Sequence, residues 1–410
     1  MEFKQLKKIF YTDKDNYESI YTGRVTGESS GHLDFNLQKF PAFYIINSEI
    51  LNLIAEIIRA NAKIKELFAA ELPDFAREHC IRESLISEIV DTNEIEGVRS
   101  TRREVRDTLD VLEGQAKLKK NSRMRFRGII NKYLALKSGK DVSVTTAKNI
   151  REIYDEIVLE EVISENRNNM PDGELFRNSP VSIVDSRGRA VHYGSDSEKE
   201  IIRDLEKALH FYNDTDVEPL IRICLFHFLF EYIHPFYDGN GRTGRFILSE
   251  GLAKELEPVC AYGISGMILA NIRKYYQGFT DSEDILNRGD LTPFLIMMLE
   301  MISKTQKEIL DEQSEIAYKW NVYKEFADKI CQDPKEHEVM MLLLATALFP
   351  YETVSLKSLT DRTSVSEYKI NIIIKRLEEQ GYISHEIRGK KYVYKVNTEK
   401  IESEILSECP

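Results

Sequence analysis

Apolar residues recur every three or four positions over most of this chain, which is the spacing of amphipathic helices. In the N-terminal third, this pattern predicts three helices: Glu49–Ala70, Asp74–Val90 and Thr101–Leu112. Helical patterns then continue from residue 123 to about residue 333, interrupted by one stretch with the alternation of a hairpin. Residues 1–47 are mixed and predict a small cap on the core. We therefore expect a mainly α protein.

The last part of the chain has a different pattern. Pro334 follows Asp333 and marks a domain boundary. The residues after it predict three helices and a two-stranded hairpin, in the order His337–Phe349, Ser355–Arg362, Val365–Gln380 (capped by Ser364), Tyr382–Glu386 and Tyr392–Val396. Such an arrangement resembles a winged helix-turn-helix domain. We therefore predict three regions: an N-terminal region over 1–118, a core over 119–333 and this domain over 334–410.

A buried helix is predicted in the middle of the chain, directly before a glycine-rich loop. Its apolar positions repeat at helical spacing, at Leu225, Phe228, Leu229 and Tyr232. Pro235 has no amide hydrogen, so it ends this helix close to His234. The apolar Phe236 would anchor the following loop in the core.

The loop and the helix after it predict a site for anions. Gly239 and Gly241 would let the backbone turn with positive φ and leave room for a ligand. Asn240 would cap a second helix that runs from Arg242 to about Leu256. The loop then points free amide N–H groups at a helix N-terminus, where anions bind.

The side chains of this loop suit chemistry on a polyphosphate. Arg242 and Arg245 are three positions apart, so they share one helix face and can reach the same phosphates. Asp238 offers a hard oxygen ligand to Mg²⁺, which needs few carboxylates when phosphate oxygens complete its shell. The imidazole of His234 titrates near neutrality and can take a proton from an attacking hydroxyl. Together these residues predict in-line transfer of a phosphoryl-type group.

Each of these residues also has an ordinary structural interpretation. A histidine at a helix end is often structural, an Asp before Gly is often a turn residue, and two nearby arginines often line a solvated surface. Gly239, Gly241 and Gly244 also match the G-x-G-x-x-G pattern of dinucleotide sites. That pattern needs a preceding strand and an acidic residue about 20 positions later. Here a helix precedes the glycines and residues 259–264 contain no acid, so the complete set favours the polyphosphate site.

The twelve residues HPFYDGNGRTGR, His234–Arg245, resemble the signature of the Fic family without a gap. Members of that family usually transfer AMP from ATP to a hydroxyl of a target protein and release pyrophosphate. The resemblance implies an all-helical Fic core with a small β-hairpin flap. It also implies that His234 is the base and that Asp238 holds Mg²⁺ on the phosphates of ATP.

The same resemblance assigns the rest of the nucleotide site. It implies that Arg242 and Arg245 hold the distal phosphates of ATP, with Arg245 nearest the γ-phosphate. It places Asn240 and Arg242 with His234 in the catalytic centre. The anion nest would consist of Gly239, Asn240 and Gly241.

The stretch TNEIEG, Thr92–Gly97, resembles a second family pattern, Ser/Thr-x-x-x-Glu-Gly/Asn. By itself it could be an ordinary helix end with Gly97 as the C-cap. In the family this glutamate pairs with the last arginine of the signature, which implies an ion pair between Glu96 and Arg245. The carboxylate would occupy the place of the γ-phosphate and inhibit the enzyme from an N-terminal helix. The same glutamate can also position a water that removes AMP from a modified target.

Two further stretches resemble parts of the Fic core. The hairpin predicted over residues 181–193, with a turn at Gly188, is similar to the flap that binds a target segment by strand addition. A surface hairpin is the alternative, and Gly194 and the next two residues stand where family members often have prolines. Tyr275 and Tyr276 are candidates to flank the adenine, with aromatic packing between helices as the alternative.

Composition limits the class of protein. The chain has 410 residues, 42% of them hydrophobic and 30% charged, and a net charge of −12, so bulk charge does not suggest a large nucleic-acid surface. The five cysteines lie far apart, without metal-ligand or disulfide spacing, as in a reducing compartment. The first residues lack an apolar signal core, and the longest apolar stretch, residues 339–350, is too short for a bilayer. We expect a cytoplasmic protein that does not contact membranes.

Two hypotheses of function follow. One is a self-inhibited adenylyltransferase that modifies a target protein or itself, although the signature would also admit UTP or phosphocholine donors. The other is a regulator in which the C-terminal domain binds DNA and the Fic core senses nucleotide. Basic residues could meet DNA phosphates at Lys369, Lys375, Arg376, Arg388, Lys390 and Lys391. Acidic neighbours dilute that charge, so a protein contact or a homo-oligomer is the alternative.

Overall fold

The computed structural model describes residues 3–114, 124–140, 142–184, 190–349, 354–388 and 391–408. The chain forms two compact units. Unit 1 comprises Met1–Ala62 and Ile81–Glu308, and unit 2 comprises Lys63–Cys80 and Ile309–Pro410. These boundaries differ from the ones predicted at residues 118 and 333.

Helices make up most of the described chain, so the predicted mainly α fold is confirmed. Up to residue 330 they are α1 Leu6–Thr12, α2 Tyr17–Thr26, α3 Ser48–Glu66, α4 Asp74–Ile95, α5 Arg102–Leu112, α6 Arg127–Lys137, α7 Ala147–Tyr154, α8 Glu160–Glu165, α9 Glu198–Tyr212, α10 Pro219–Ile233, α11 Asn240–Glu255, α12 Pro258–Ala261, α13 Ile264–Ala270, α14 Ile272–Ser282 and α15 Thr292–Ile330. Single π-helical turns follow α3 and α7, at Leu67–Glu71 and Asp155–Leu159. Among the described residues, no helix combines the length and apolar character needed to cross a membrane.

Three antiparallel hairpins accompany the helices of the described residues. Their strands are β1 Ser30–Leu37, β2 Phe40–Ile45, β3 Ser182–Val184, β4 Ala190–Tyr193, β5 Ile383–Arg388 and β6 Lys391–Val396. The first hairpin belongs to the cap predicted over residues 1–47. Phe43 of β2 packs there with Leu6, Ile9 and Tyr17 from the first two helices.

Helix α10 lies in the core of unit 1 and leads into the functional loop. Pro219 stands at its first turn, and the side chain of Glu218 accepts the N–H of Ile221, so both local start signals are used. Its buried residues lie on every side of the helix, which marks a helix surrounded by protein. It ends at Ile233, and His234 follows as the C-cap with a φ of +53°.

Helix α11 begins earlier than the sequence predicts. Asn240 is its first residue, and Gly239 precedes it as the N-cap with a φ of +84°. The prediction that Asn240 caps the helix is therefore wrong, because its side chain bonds the backbone of the preceding loop instead. Gly241 lies inside the helix, so the positive φ expected there is also wrong.

In unit 2, the C-terminal residues form the three helices and the hairpin that the pattern predicts, and they form a fourth helix, Thr398–Glu408, that it does not predict. The helices are α16 Pro334–Leu348, α17 Leu356–Arg362, α18 Glu367–Glu379 and α19 Thr398–Glu408. Ile370, Ile373 and Leu377 on the inner face of α18 are buried in the core of this unit. The cap of α18 is Ser366, whose side chain accepts the N–H of Lys369, and not Ser364 as predicted. The winged-helix interpretation of these elements stays a prediction.

Candidate active site

The end of helix α4 carries the first part of the site. The helix runs to Ile95, five residues beyond the end at Val90 that periodicity predicts. Gly97 then adopts a φ of +72° and donates its N–H to the carbonyl of Glu94 at 3.0 Å. This left-handed turn ends the helix and leaves Glu96 at its tip.

Glu96 and Thr92 at this tip bind Arg245 of helix α11. Nη2 of Arg245 lies 2.7 Å from Oε1 of Glu96, and Nε donates to Oγ1 of Thr92 at 2.8 Å. The carbonyl of Thr92 accepts a further bond from Nη2 at 3.2 Å. The side chain of Arg245 is 2% exposed and that of Glu96 is 29% exposed. A buried guanidinium charge is thus compensated from the end of an N-terminal helix.

The carboxylate of Glu96 also lies against the backbone of the glycine loop. A Cβ built on Gly241 would overlap Oε1 of Glu96 and lie 2.9 Å from Nη1 of Arg245. The space that a Cβ at Gly241 would take is therefore filled by the side-chain ends of Glu96 and Arg245. The carboxylate lies against the first turn of α11, and the N-terminal turn of a helix is where anions bind.

His234 is held in place through its backbone. Its left-handed conformation turns the chain at the end of α10, and its N–H still bonds the carbonyl of Phe230 at 3.0 Å. Nδ1 of the ring lies 3.2 Å from the carbonyl oxygen of Glu231. Because a carbonyl oxygen only accepts, this contact requires a proton on Nδ1.

Arg177 braces His234, and sequence reasoning missed it. The Arg177 side chain is fully buried. Its Nε donates to the carbonyl of His234 at 2.8 Å and its Nη1 to the carbonyl of Ser179 at 2.7 Å. Burial lowers the pKa of the Arg177 guanidinium, and it still remains charged. A basic residue beside a predicted hairpin gave no sign of this role.

Asn240 shapes the loop between His234 and α11. Its Oδ1 accepts the N–H of Phe236 at 2.9 Å and its Nδ2 donates to the carbonyl of Phe236 at 2.8 Å. Phe236 is fully buried and stacks on Tyr154, with ring centroids 3.6 Å apart, so it is the packing anchor that the sequence predicts. Asn240, for which a catalytic role is predicted, uses its amide to hold this backbone.

The first arginine of the signature, Arg242, is also paired with a carboxylate. Arg242 is 2% exposed, and its Nη1 lies 2.9 Å from Oε2 of Glu161 in helix α8. Burial raises the pKa of Glu161, and the charge of Arg242 opposes that shift. Glu161 has no counterpart in the sequence prediction. Both arginines of the loop are therefore neutralised by carboxylates from other helices.

The sequence of residues 144–252 matches the family model of the Fic/DOC family. These residues belong to the Fic/DOC family. The matched range includes the histidine loop and most of α11, and it lies C-terminal to Glu96.

Two proteins that are similar to this chain are named as adenylyltransferases. Over 72 residues the chain is 33% identical to a probable protein adenylyltransferase of Aquifex aeolicus, covering 18% of this chain and 20% of that protein. It is 24% identical over 299 residues to the protein adenylyltransferase Fic of Nematostella vectensis, covering 70% of this chain and 62% of that protein. The chain thus spans less than two thirds of either relative.

A solved structure shows the same fold. A Fic family protein from Desulfovibrio desulfuricans superposes with a TM-score of 0.56 at 21% sequence identity. The superposition covers 86% of this chain and 97% of that one.

The two tyrosines predicted to flank adenine lie in unit 1 and differ in their exposure to solvent. Tyr275 is 2% exposed, and its hydroxyl lies 2.7 Å from Nε2 of His227. Burial lowers the pKa of His227 to about 3, so this imidazole is neutral and Tyr275 is part of the core. The packing alternative therefore applies to Tyr275. Tyr276 is 51% exposed and remains able to contact a base.

The remaining predicted features of the Fic core are an acidic ligand and a flap. Asp238 accepts from Gly239 N–H at 2.6 Å and from Asn169 Nδ2 at 3.2 Å. Among the described residues, no group of three or more His, Cys, Asp or Glu could hold a metal. In the flap, Ser182 of β3 pairs with Tyr193 of β4. The predicted turn at Gly188 lies outside the described residues.

The basic residues predicted to face DNA lie in unit 2, and several have acidic partners. Lys369 pairs with Asp333 at 2.8 Å, and Arg376 pairs with Glu336. Lys390 lies outside the described residues. The pairs lower the positive charge of this surface, while DNA binding stays a prediction.

Proposed function

We propose that this chain is a protein adenylyltransferase that transfers AMP from ATP to a Ser, Thr or Tyr hydroxyl of a target protein, and that Glu96 inhibits it. The adenylyltransferase relatives support the reaction. The inhibition is supported by the ion pair between Glu96 and Arg245, which lies next to Gly241. A carboxylate that pairs with the arginine of an anion site, close to the N-terminus of its helix, competes directly with a phosphate for that site.

The proposed reaction uses the groups of this site as follows. Arg245 and Arg242 hold the β- and γ-phosphates, and the N-terminal turn of α11 adds amide donors. The target hydroxyl oxygen bonds to the α-phosphorus while the bond from that phosphorus to the bridging oxygen breaks. His234 takes the hydroxyl proton on Nε2, and pyrophosphate leaves with the electron pair of the broken bond.

A magnesium ion fits this site with one protein ligand. Asp238 presents a single carboxylate at the loop, and phosphate oxygens and waters commonly supply the other ligands of Mg²⁺. When bound, the ion would neutralise charge on the phosphates.

The flap and Tyr276 complete the proposal. An extended target segment adds to the β3–β4 hairpin, which would place its hydroxyl near His234. Tyr276 contacts the adenine, since its ring is half exposed and Tyr275 is buried.

The test is label transfer from ATP labelled at the α-phosphate. The purified chain, alone and with candidate targets, should label protein more strongly as Glu96→Gly than as wild type, and Glu96→Gly/His234→Ala should abolish labelling. Glu94→Gly is a matched control, because Glu94 lies on the same helix end and is exposed. The proposal fails if Glu96→Gly transfers no α-label. Transfer of γ-label alone would indicate a kinase, and release of AMP from labelled target by wild type would place the reverse reaction first.

A further inference from the structure

The side chain of Arg242 is almost completely buried and is held at one edge by a carboxylate. Its side chain is 2% exposed, and Nη1 is held by Oε2 of Glu161 at 2.9 Å. Glu161 is itself 22% exposed, so the pair is shielded from water on the arginine side. A guanidinium has five donors in a rigid plane, and fixing one edge orients the others.

Another donor of Arg242 lacks an acceptor. Its Nε is buried and has no hydrogen-bond partner in the described part of the chain. An unsatisfied buried donor costs about 1–3 kcal/mol, and more when it is charged. Phosphate oxygens of a bound nucleotide are acceptors that would satisfy it.

Glu161 is itself anchored from a second side. Its Oε1 accepts the N–H of Phe126 at 3.2 Å, at the start of helix α6. The guanidinium of Arg125 packs over the Phe126 ring, 4.5 Å from its centroid, and its Nη2 donates to the carbonyl of Arg99 at 3.0 Å. The carboxylate therefore has little freedom to follow Arg242 if the arginine moves.

We propose that Glu161 is a positioning residue, which fixes the guanidinium of Arg242 so that its unpartnered donor meets the phosphates of the nucleotide. This rests on the proposed nucleotide site. Glu161 touches no reacting atom. Its effect passes through Arg242, unlike that of Glu96, which competes with the nucleotide for Arg245. Glu96 therefore weakens ATP binding through Arg245, whereas Glu161 strengthens it through Arg242.

The experiment is a double-mutant cycle on ATP affinity, measured by calorimetry in the full chain. The parent is Glu96→Gly/His234→Ala, in which the competing carboxylate and turnover are both removed. Glu161→Gln keeps the size and an acceptor for Phe126 but removes the charge, and it should weaken ATP binding about tenfold, as for one charged hydrogen bond. Glu160→Gln is the matched control, because Glu160 is the exposed neighbour on the same helix, and it should leave the affinity unchanged.

The second side of the cycle separates positioning from general stability. In a parent that also carries Arg242→Ala, Glu161→Gln should have no further effect on ATP affinity. A loss of affinity in both parents would overturn the proposal, because Glu161 would then act on the fold. Unchanged or tighter binding in the first parent would overturn it as well. If Glu161→Gln does not fold, Glu161→Asp, which keeps the charge but withdraws it by one methylene, is measured in both parents with the same expected pattern.

The affinity cycle tests the role of Glu161 separately from the proposed transfer of AMP. If Glu96→Gly transfers no α-label yet the cycle gives the expected pattern, the adenylyltransferase proposal fails and the role of Glu161 in nucleotide binding stands. If label is transferred and Glu161→Gln binds ATP like its parent, the adenylyltransferase proposal stands and the role of Glu161 fails.

Discussion

Replacing Glu96 by Gly should change the stability of the protein and its affinity for ATP in opposite directions. The substitution removes the carboxylate that forms an ion pair with Arg245, while both acceptors on Thr92 remain. Removing one partner of a buried ion pair costs about 3–5 kcal/mol, whereas an exposed pair contributes about 0–1 kcal/mol. Since Arg245 is buried and Glu96 is 29% exposed, we expect the free energy of unfolding to fall by about 1–3 kcal/mol.

The affinity for ATP should rise by a related amount. If Glu96 inhibits as proposed, the γ-phosphate must displace the carboxylate from Arg245 in wild type, and in the variant this step is absent. A gain of about 1–3 kcal/mol corresponds to roughly 5- to 150-fold tighter binding. The substitution adds little helix penalty, because α4 ends at Ile95.

Calorimetry with two nucleotides checks the reasoning. ATP should bind more tightly to the variant, whereas the gain for ADP should be small, because ADP has no γ-phosphate to replace the carboxylate. Glu94→Gly should bind both nucleotides like wild type. Urea unfolding without nucleotide gives the stability change.

Two results would refute this account. Lower stability with unchanged affinity for ATP would make Glu96 a structural partner of Arg245 only. An equal gain for ATP and ADP would place the carboxylate in competition with another part of the nucleotide.

Three further predictions test how the loop is held. Asn240→Ala should lower the free energy of unfolding by about 2–4 kcal/mol, measured by urea unfolding, because it removes two hydrogen bonds to the buried Phe236; a loss below about 1 kcal/mol would contradict this. Arg177→Ala in the Glu96→Gly background should reduce kcat for label transfer at least tenfold with little change in ATP affinity, because the carbonyl of His234 loses its donor; an unaltered kcat would count against it. Burial raises the pKa of Glu231 from 4.5 to about 8, so the native chain keeps a proton that the unfolded chain releases, and stability falls as pH rises through this range. Glu231→Gln should therefore lose less stability than wild type between pH 5 and pH 8 in urea unfolding, and equal losses would show that this carboxyl does not titrate as described.

Local sequence signals were sufficient to predict much of the fold and the order of helix, loop and helix that forms the site. The apolar positions that repeat at helical spacing before Pro235 predict a buried helix that ends close to His234, and the structure has that helix. Such signals act within a few residues, so they are fully present in the sequence. They were less reliable where a side chain chose a tertiary partner. Asn240 suits a helix cap, but the backbone of Phe236 offered it two bonds at once.

The sequence by itself therefore determined the helical character of the chain and the histidine loop, and its resemblance to the Fic family implied which acid pairs with the last arginine. Only the tertiary structure decided that Glu161 holds Arg242, that Arg177 braces His234 and that Tyr275 is buried. In sequence, each of these residues resembles many ordinary acids, bases and aromatics. Their roles depend on contacts between residues about 50 to 80 positions apart, and no local periodicity encodes which distant group a buried charge will meet.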